Sequence, residues 1–154
     1  EHLATKGGSI RYYCTRYYSS RVPELPAVED DDPALYDPQT YVDFANRIER
    51  ANGDMWDFLE RKAENGGTFC GFGASISATT LLYRFGIGNY LSYLVDDNPA
   101  KIGRFSPGLH LRVKPTSEAK TQYVIALAWR FAEDFKRAHP ELTVVVPLPE
   151  FHIL

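Results

Sequence analysis

Cysteine is scarce in this chain, and the two present, Cys14 and Cys70, lie far apart, Cys70 in the middle of an apolar stretch. That excludes a disulfide framework and a C-x-x-C metal site, and a reducing cytoplasm fits best. Long hydrophobic runs are missing too. Nothing approaches the ~20 apolar residues that span a bilayer, and no signal-peptide pattern opens the chain, so no membrane partner is expected. A basic block is also absent: 17 Lys and Arg stand against 20 Asp and Glu, a formal charge of -3, and nucleic acid is not an expected partner. The first residue is Glu1 rather than methionine, which suggests a piece of something longer. What is present suffices for a core: 154 residues with 44% hydrophobic content make one domain and are too few for two ordinary ones.

The chain is organised around residues 68–82. A short apolar run, Thr68-Phe69-Cys70, stops at Gly71-Phe72-Gly73, and a helix-like sequence opens directly behind it at Ala74 and Ser75. A buried parallel strand hands over to a helix in this way in nucleotide-binding βα units. Glycine at such a turn allows positive φ and close approach of a ligand or a neighbouring backbone, while the N–H groups of the first helical turn point at the same place. The third position of a G-x-G-x-x-G fingerprint is Ile76, so the dinucleotide form is incomplete, and a tight turn without a ligand stands beside the binding turn as an alternative.

Before this stretch, Gly7-Gly8 feeds an expected strand over residues 10–14, rich in aromatic and β-branched types. Residues 1–16 are thus an opening turn and strand, and 17–36 a mobile, solvated connection holding Pro23, Pro26 and Pro33 and the acidic run Glu29-Asp30-Asp31-Asp32. Residues 37–154 form the main domain. Asp37 followed by Pro38 starts a helix in which Tyr41, Phe44, Ile48, Met55 or Trp56, and Leu59 recur at helical spacing to about Lys62, with a break or kink expected at Asn52-Gly53. Behind the glycine turn, a helix is expected over 74–85 with Leu81, Leu82 and Phe85 inward.

A second strand over 90–95 closes at Asp96-Asp97-Asn98-Pro99. An acid at that strand tip is where a Rossmann-like unit holds a ribose hydroxyl; the alternative is an ordinary Asp turn before Pro99. Lys101 and Arg104 come next in a loop, two cations able to meet phosphate or simply to be solvated. A short strand over 109–113, a continuous apolar strand over 123–129, a helix over 130–139 with Phe131 and Phe135 inward, a strand over 142–147 and an edge strand over 151–154 complete the pattern. It predicts an α/β fold, Rossmann-like, with a mostly parallel sheet and helices on both faces. Ligands bind at the carboxyl ends of such strands, a rim that gathers 71–75, 96–98 and 128–130.

The Lys6-Gly7-Gly8-Ser9-Ile10-Arg11 opening, the Gly71-Phe72-Gly73-Ala74 turn, the segment 95–108 and Leu127-Ala128-Trp129-Arg130 together resemble the C-terminal domain of the sugar C-methyltransferases, over nearly the whole chain from Leu3 to Pro149. The resemblance implies an enzyme part: S-adenosylmethionine (SAM) is bound mainly by a preceding methyltransferase domain, to which residues 1–16 lead, and this domain holds a nucleotide-linked keto-deoxysugar. It implies no cofactor in this chain and no methylation by the chain alone. The implied substrate-binding residues are Gly71, Phe72, Gly73, Ala74, Ser75, Asp96, Asn98, Lys101, Arg104 and Trp129. The family usually opens with His-Gly-Gly-Ser, its histidine a base for the proton beside the keto group. Lys6 stands there instead, and Leu3 matches a position often held by tyrosine. Lys6 is then either a base with a lowered pKa or an exposed turn lysine. The alternative to an enzyme part is a non-catalytic Rossmann-like nucleotide- or sugar-binding module.

Overall fold

The computed structural model describes residues 2, 3, 9–14 and 32–154. The expectations for Lys6, for the glycines after it and for residues 17–31 lie outside these residues. The chain divides into two compact units, residues 1–42 and 43–154. In the first, β1 (His2–Leu3) pairs antiparallel with β2 (Ser9–Ile10). The expected strand over 10–14 is shorter than its composition suggested, because pairing stops at Ile10 and residues 11–14 are exposed. Pro33–Tyr36 forms a 3-10 turn capped by the Asp32 side chain.

Helix α1 (Pro38–Glu64) begins where expected, with the Asp37 carboxylate accepting from the Gln39 N–H. The expected break at Asn52-Gly53 does not occur, and the helix runs through it. Met55, Phe58 and Leu59 just beyond Gly53 are fully buried, as is Ala51 before it. Each large side chain contributes roughly 1.5–3 kcal/mol on burial, more than the ~1 kcal/mol that an interior glycine costs. The helix stops at Gly66, whose φ is +76°, with the Gly67 N–H closing onto the Lys62 carbonyl.

The second unit continues with β3 (Phe69–Phe72), α2 (Ile76–Phe85), β4 (Leu91–Val95), β5 (Val113–Lys114), β6 (Tyr123–Ala126), α3 (Ala132–Ala138), β7 (Thr143–Val146) and β8 (His152–Ile153). They form one six-stranded sheet of order β5-β4-β3-β6-β7-β8, parallel throughout except for β8, which runs antiparallel at the edge. This is the order of a doubly wound sheet, with its switch point between β3 and β6.

Alternation along the strands sorts the core into two layers. Phe69, Leu94, Ile125 and Val145 pack with α1 and α2, while Cys70, Val124, Val144 and Val146 pack with α3. The α/β architecture with helices on both faces is therefore as expected.

Several boundaries differ. Helix α2 starts two residues later than expected because Ser75 is its N-cap, and it ends at Gly86, whose φ is +68°. The strand expected over 109–113 is displaced to Val113–Lys114: Gly108 and His110 both take positive φ, and Ser106 is bonded through its N–H and its Oγ to Leu111, so the segment before Val113 is a turn. The run over 123–129 leaves the sheet at Ala126 for a 3-10 turn, Trp129–Phe131. That turn leaves Phe131 exposed rather than inward, and only Phe135 enters the core, stacked on Phe72 at 3.9 Å between ring centroids.

Candidate functional site

The carboxyl ends of β3 and β4 lie side by side, and one carboxylate joins the glycine turn beyond β3 to the loop beyond β4. Asp96, the first residue after β4, is buried; its Oδ2 accepts from the Ala74 N–H and from Lys101 Nζ, both at 2.8 Å, and its Oδ1 from the Asn98 N–H at 2.9 Å. Burial pushes the Asp96 carboxyl up, but the hydrogen bond from Lys101, those from the two amides and the lysine charge together outweigh it, and the group lies below the usual aspartate range. Its role is to tie the glycine turn to the loop that carries the cations.

Beside this tie is a cleft of about 130 Å³, walled on one side by Ala74, Ser75, Ala78, Thr79 and Leu82, on the other by Lys101, Arg104, Phe105, Ser106 and Pro107, with Leu94 and Val113 beneath. Ser75 caps α2 through its Oγ, which accepts from the Ala78 N–H at 3.2 Å. The remaining N–H groups of that first turn have no partner within the helix. Arg104 is steadied by Nε donating to the Ala100 carbonyl at 2.7 Å, which leaves the two terminal nitrogens of its guanidinium for a ligand. The wall thus carries two cations and a helix N-terminus over an apolar floor, a combination suited to an anionic group attached to something less polar.

Of the residues expected at a site, Ala74, Ser75, Lys101 and Arg104 line this cleft, and Asp96 holds two of them, Ala74 and Lys101. The others are elsewhere. A Cβ on Gly71 would meet Leu127 at 2.7 Å and Leu94 at 2.8 Å, so this glycine makes room for core side chains. Gly73, at φ +97°, fits against Ala128 and donates its N–H to the Val95 carbonyl. Phe72 and Trp129 pack on the α3 side of the sheet. Asn98 is exposed and turns the loop by accepting from the Ala100 N–H. Sequence reasoning missed Phe105, whose ring is exposed at the cleft, and Ser106; an aromatic directly after Arg104 was the available signal.

On the Cβ side of Gly71 and Gly73 the space is taken by protein atoms, and the Ala74 amide is already bonded to Asp96. Among the described residues no group of three His, Cys, Asp or Glu is arranged to hold a metal ion, and no helix is long and apolar enough to cross a membrane. The family model of the C-methyltransferase C-terminal domain matches residues 4–149. The chain belongs to this family. No curated protein matches it. For a C-methyltransferase C-terminal domain, the geometry separates residues that shape the sheet end, Gly71 and Gly73, from residues that face open space, Ser75, Lys101, Arg104 and Phe105.

Proposed function

We propose that this domain holds a nucleotide-linked keto-deoxysugar for a C-methyltransferase whose SAM is bound by a preceding domain of the same protein. The observation that carries the reading is the pairing of Lys101 and Arg104 with the N-terminus of α2 across one cleft. Phosphate oxygens suit those donors, and the exposed Phe105 ring offers a stacking surface for the base or sugar. At about 130 Å³ the cleft admits one segment of such a ligand, since sites for drug-sized molecules run to roughly 300–1,000 Å³. The rest of the substrate then lies outside this domain, towards the methyl donor. Free thiols at Cys14 and Cys70 accord with a cytoplasmic enzyme.

Calorimetric titration of the chain with thymidine- and uridine-diphosphosugars tests the reading: saturable binding lost in Arg104→Ala supports it, and the absence of binding rejects it. A non-catalytic binding module is the second reading, favoured by one feature: the Asp96 carboxylate is engaged by three donors, so it is not poised as a base. A preceding SAM-binding domain in the full gene, with methyl transfer by the whole protein, decides for the enzyme part.

A further inference from the structure

The two cations of the cleft are not equivalent. Lys101 Nζ lies 2.8 Å from Asp96 Oδ2, whereas Arg104 has no carboxylate partner among the described residues and bonds instead to a neutral carbonyl. Asp96 also takes the Ala74 amide, the turn donor that would otherwise face an anion. Asp97, the next acid, is exposed and does not line the cleft. The lining therefore presents two positive charges of which one is matched inside the protein, leaving one.

Phosphate groups differ in the same measure. A phosphate esterified on both sides carries one negative charge near neutral pH, while a terminal phosphate, with a second pKa near 6, carries about two. We propose that Asp96 is a specificity-determining residue, which by matching Lys101 lowers the advantage that a terminal, dianionic phosphate would otherwise have over a doubly esterified one. The inference rests on the nucleotide-sugar reading for its biological meaning: the intact sugar ester is less readily displaced by the free nucleoside diphosphate left after loss of the sugar. Like-charge and opposite-charge contacts at this range change binding by roughly three- to tenfold per unit charge in a partly wet site.

The experiment compares four probes on the same chain: uridine diphosphoglucose against uridine diphosphate by calorimetry, and dimethyl phosphate against inorganic phosphate at pH 8 by amide NMR shifts of residues 74–78. Asp96→Asn, which keeps the shape and removes the charge, should raise the affinity of the dianionic member relative to the esterified member of each pair by roughly three- to tenfold over wild type. Lys101→Met should weaken all four, the dianions most, and it carries the test if Asp96→Asn fails to give a dispersed, folded spectrum. An affinity ratio unchanged in Asp96→Asn, or in Lys101→Met where that variant carries the test, overturns the inference. If uridine diphosphoglucose does not bind but Asp96→Asn still raises the affinity of inorganic phosphate relative to dimethyl phosphate, the nucleotide-sugar reading fails and the charge selectivity stands. No shift at residues 74–78 with any probe rejects both.

Discussion

Gly73 and Ala128 close the gap between the ends of β3 and β6: a Cβ on Gly73 would lie 2.4 Å from that of Ala128 and 3.1 Å from its backbone nitrogen. This is the switch point of the sheet, where a doubly wound fold usually opens its crevice. Here the backbones meet there, and the cleft lies instead on the β4 side, between α2 and the loop over 101–107.

Gly73→Ala should accordingly destabilise the domain by about 2–4 kcal/mol, from the left-handed backbone conformation and the contact with Ala128 together. Chemical denaturation checks it. A change under about 0.5 kcal/mol, the range of an ordinary surface substitution, would mean that the two strand ends separate easily.

Gly53→Ala should have the opposite sign. Its Cβ would meet nothing within 4 Å and its helix is continuous, so the substitution should stabilise by about 0.5–1 kcal/mol. Thermal unfolding reads the shift, and a loss of stability would show that α1 needs a flexible point there.

The Asp96 carboxyl lies below its ordinary value, so its ionised form is the one the fold favours. Its contribution is fully present above the unfolded aspartate pKa of about 3.9 and is lost as pH falls through the lower folded value. Asp96→Asn should therefore be less stable than wild type at pH 7, and the difference should shrink below about pH 4. Melting curves from pH 2 to 7 measure it; a constant difference would detach the effect from ionisation.

Arg104→Ala should weaken binding of a nucleotide-sugar roughly tenfold or more, since charge-assisted hydrogen bonds to phosphate contribute about 1.5–3 kcal/mol each. Phe105→Ala should weaken the same ligand yet leave dimethyl phosphate unaffected, because a phosphate alone has nothing to stack. Equal losses for both probes would assign Phe105 to cleft shape rather than to stacking.

Lys6→Ala, assayed in the full-length protein, should leave methyl transfer almost unchanged. Loss of the ~10²–10⁴-fold typical of a general base would assign it that role instead. A gain in Lys6→His would support the histidine base that the resemblance implies at this position.

The sequence by itself determined most of the elements and their layering. Apolar runs marked β3, β4, β6 and β7, because a strand covered on both faces is largely apolar, and Gly86 ends α2 through capping chemistry that is local. The glycine turn and the cations at 101 and 104 were legible for the same reason. Tertiary structure alone decided what those residues face. The purpose of Gly71 and Gly73 depends on Leu94, Leu127 and Ala128, which come from other strands, and the side of the sheet taken by Phe72 and Trp129 depends on register. Helix α1 is whole because residues on either side of Gly53 are buried against partners distant in sequence. For the acid at the strand tip the sequence offered a ribose hydroxyl or an ordinary Asp turn; its 2.8 Å contacts with Lys101 and with the Ala74 amide, 22 residues before it in the chain, were decided by tertiary structure.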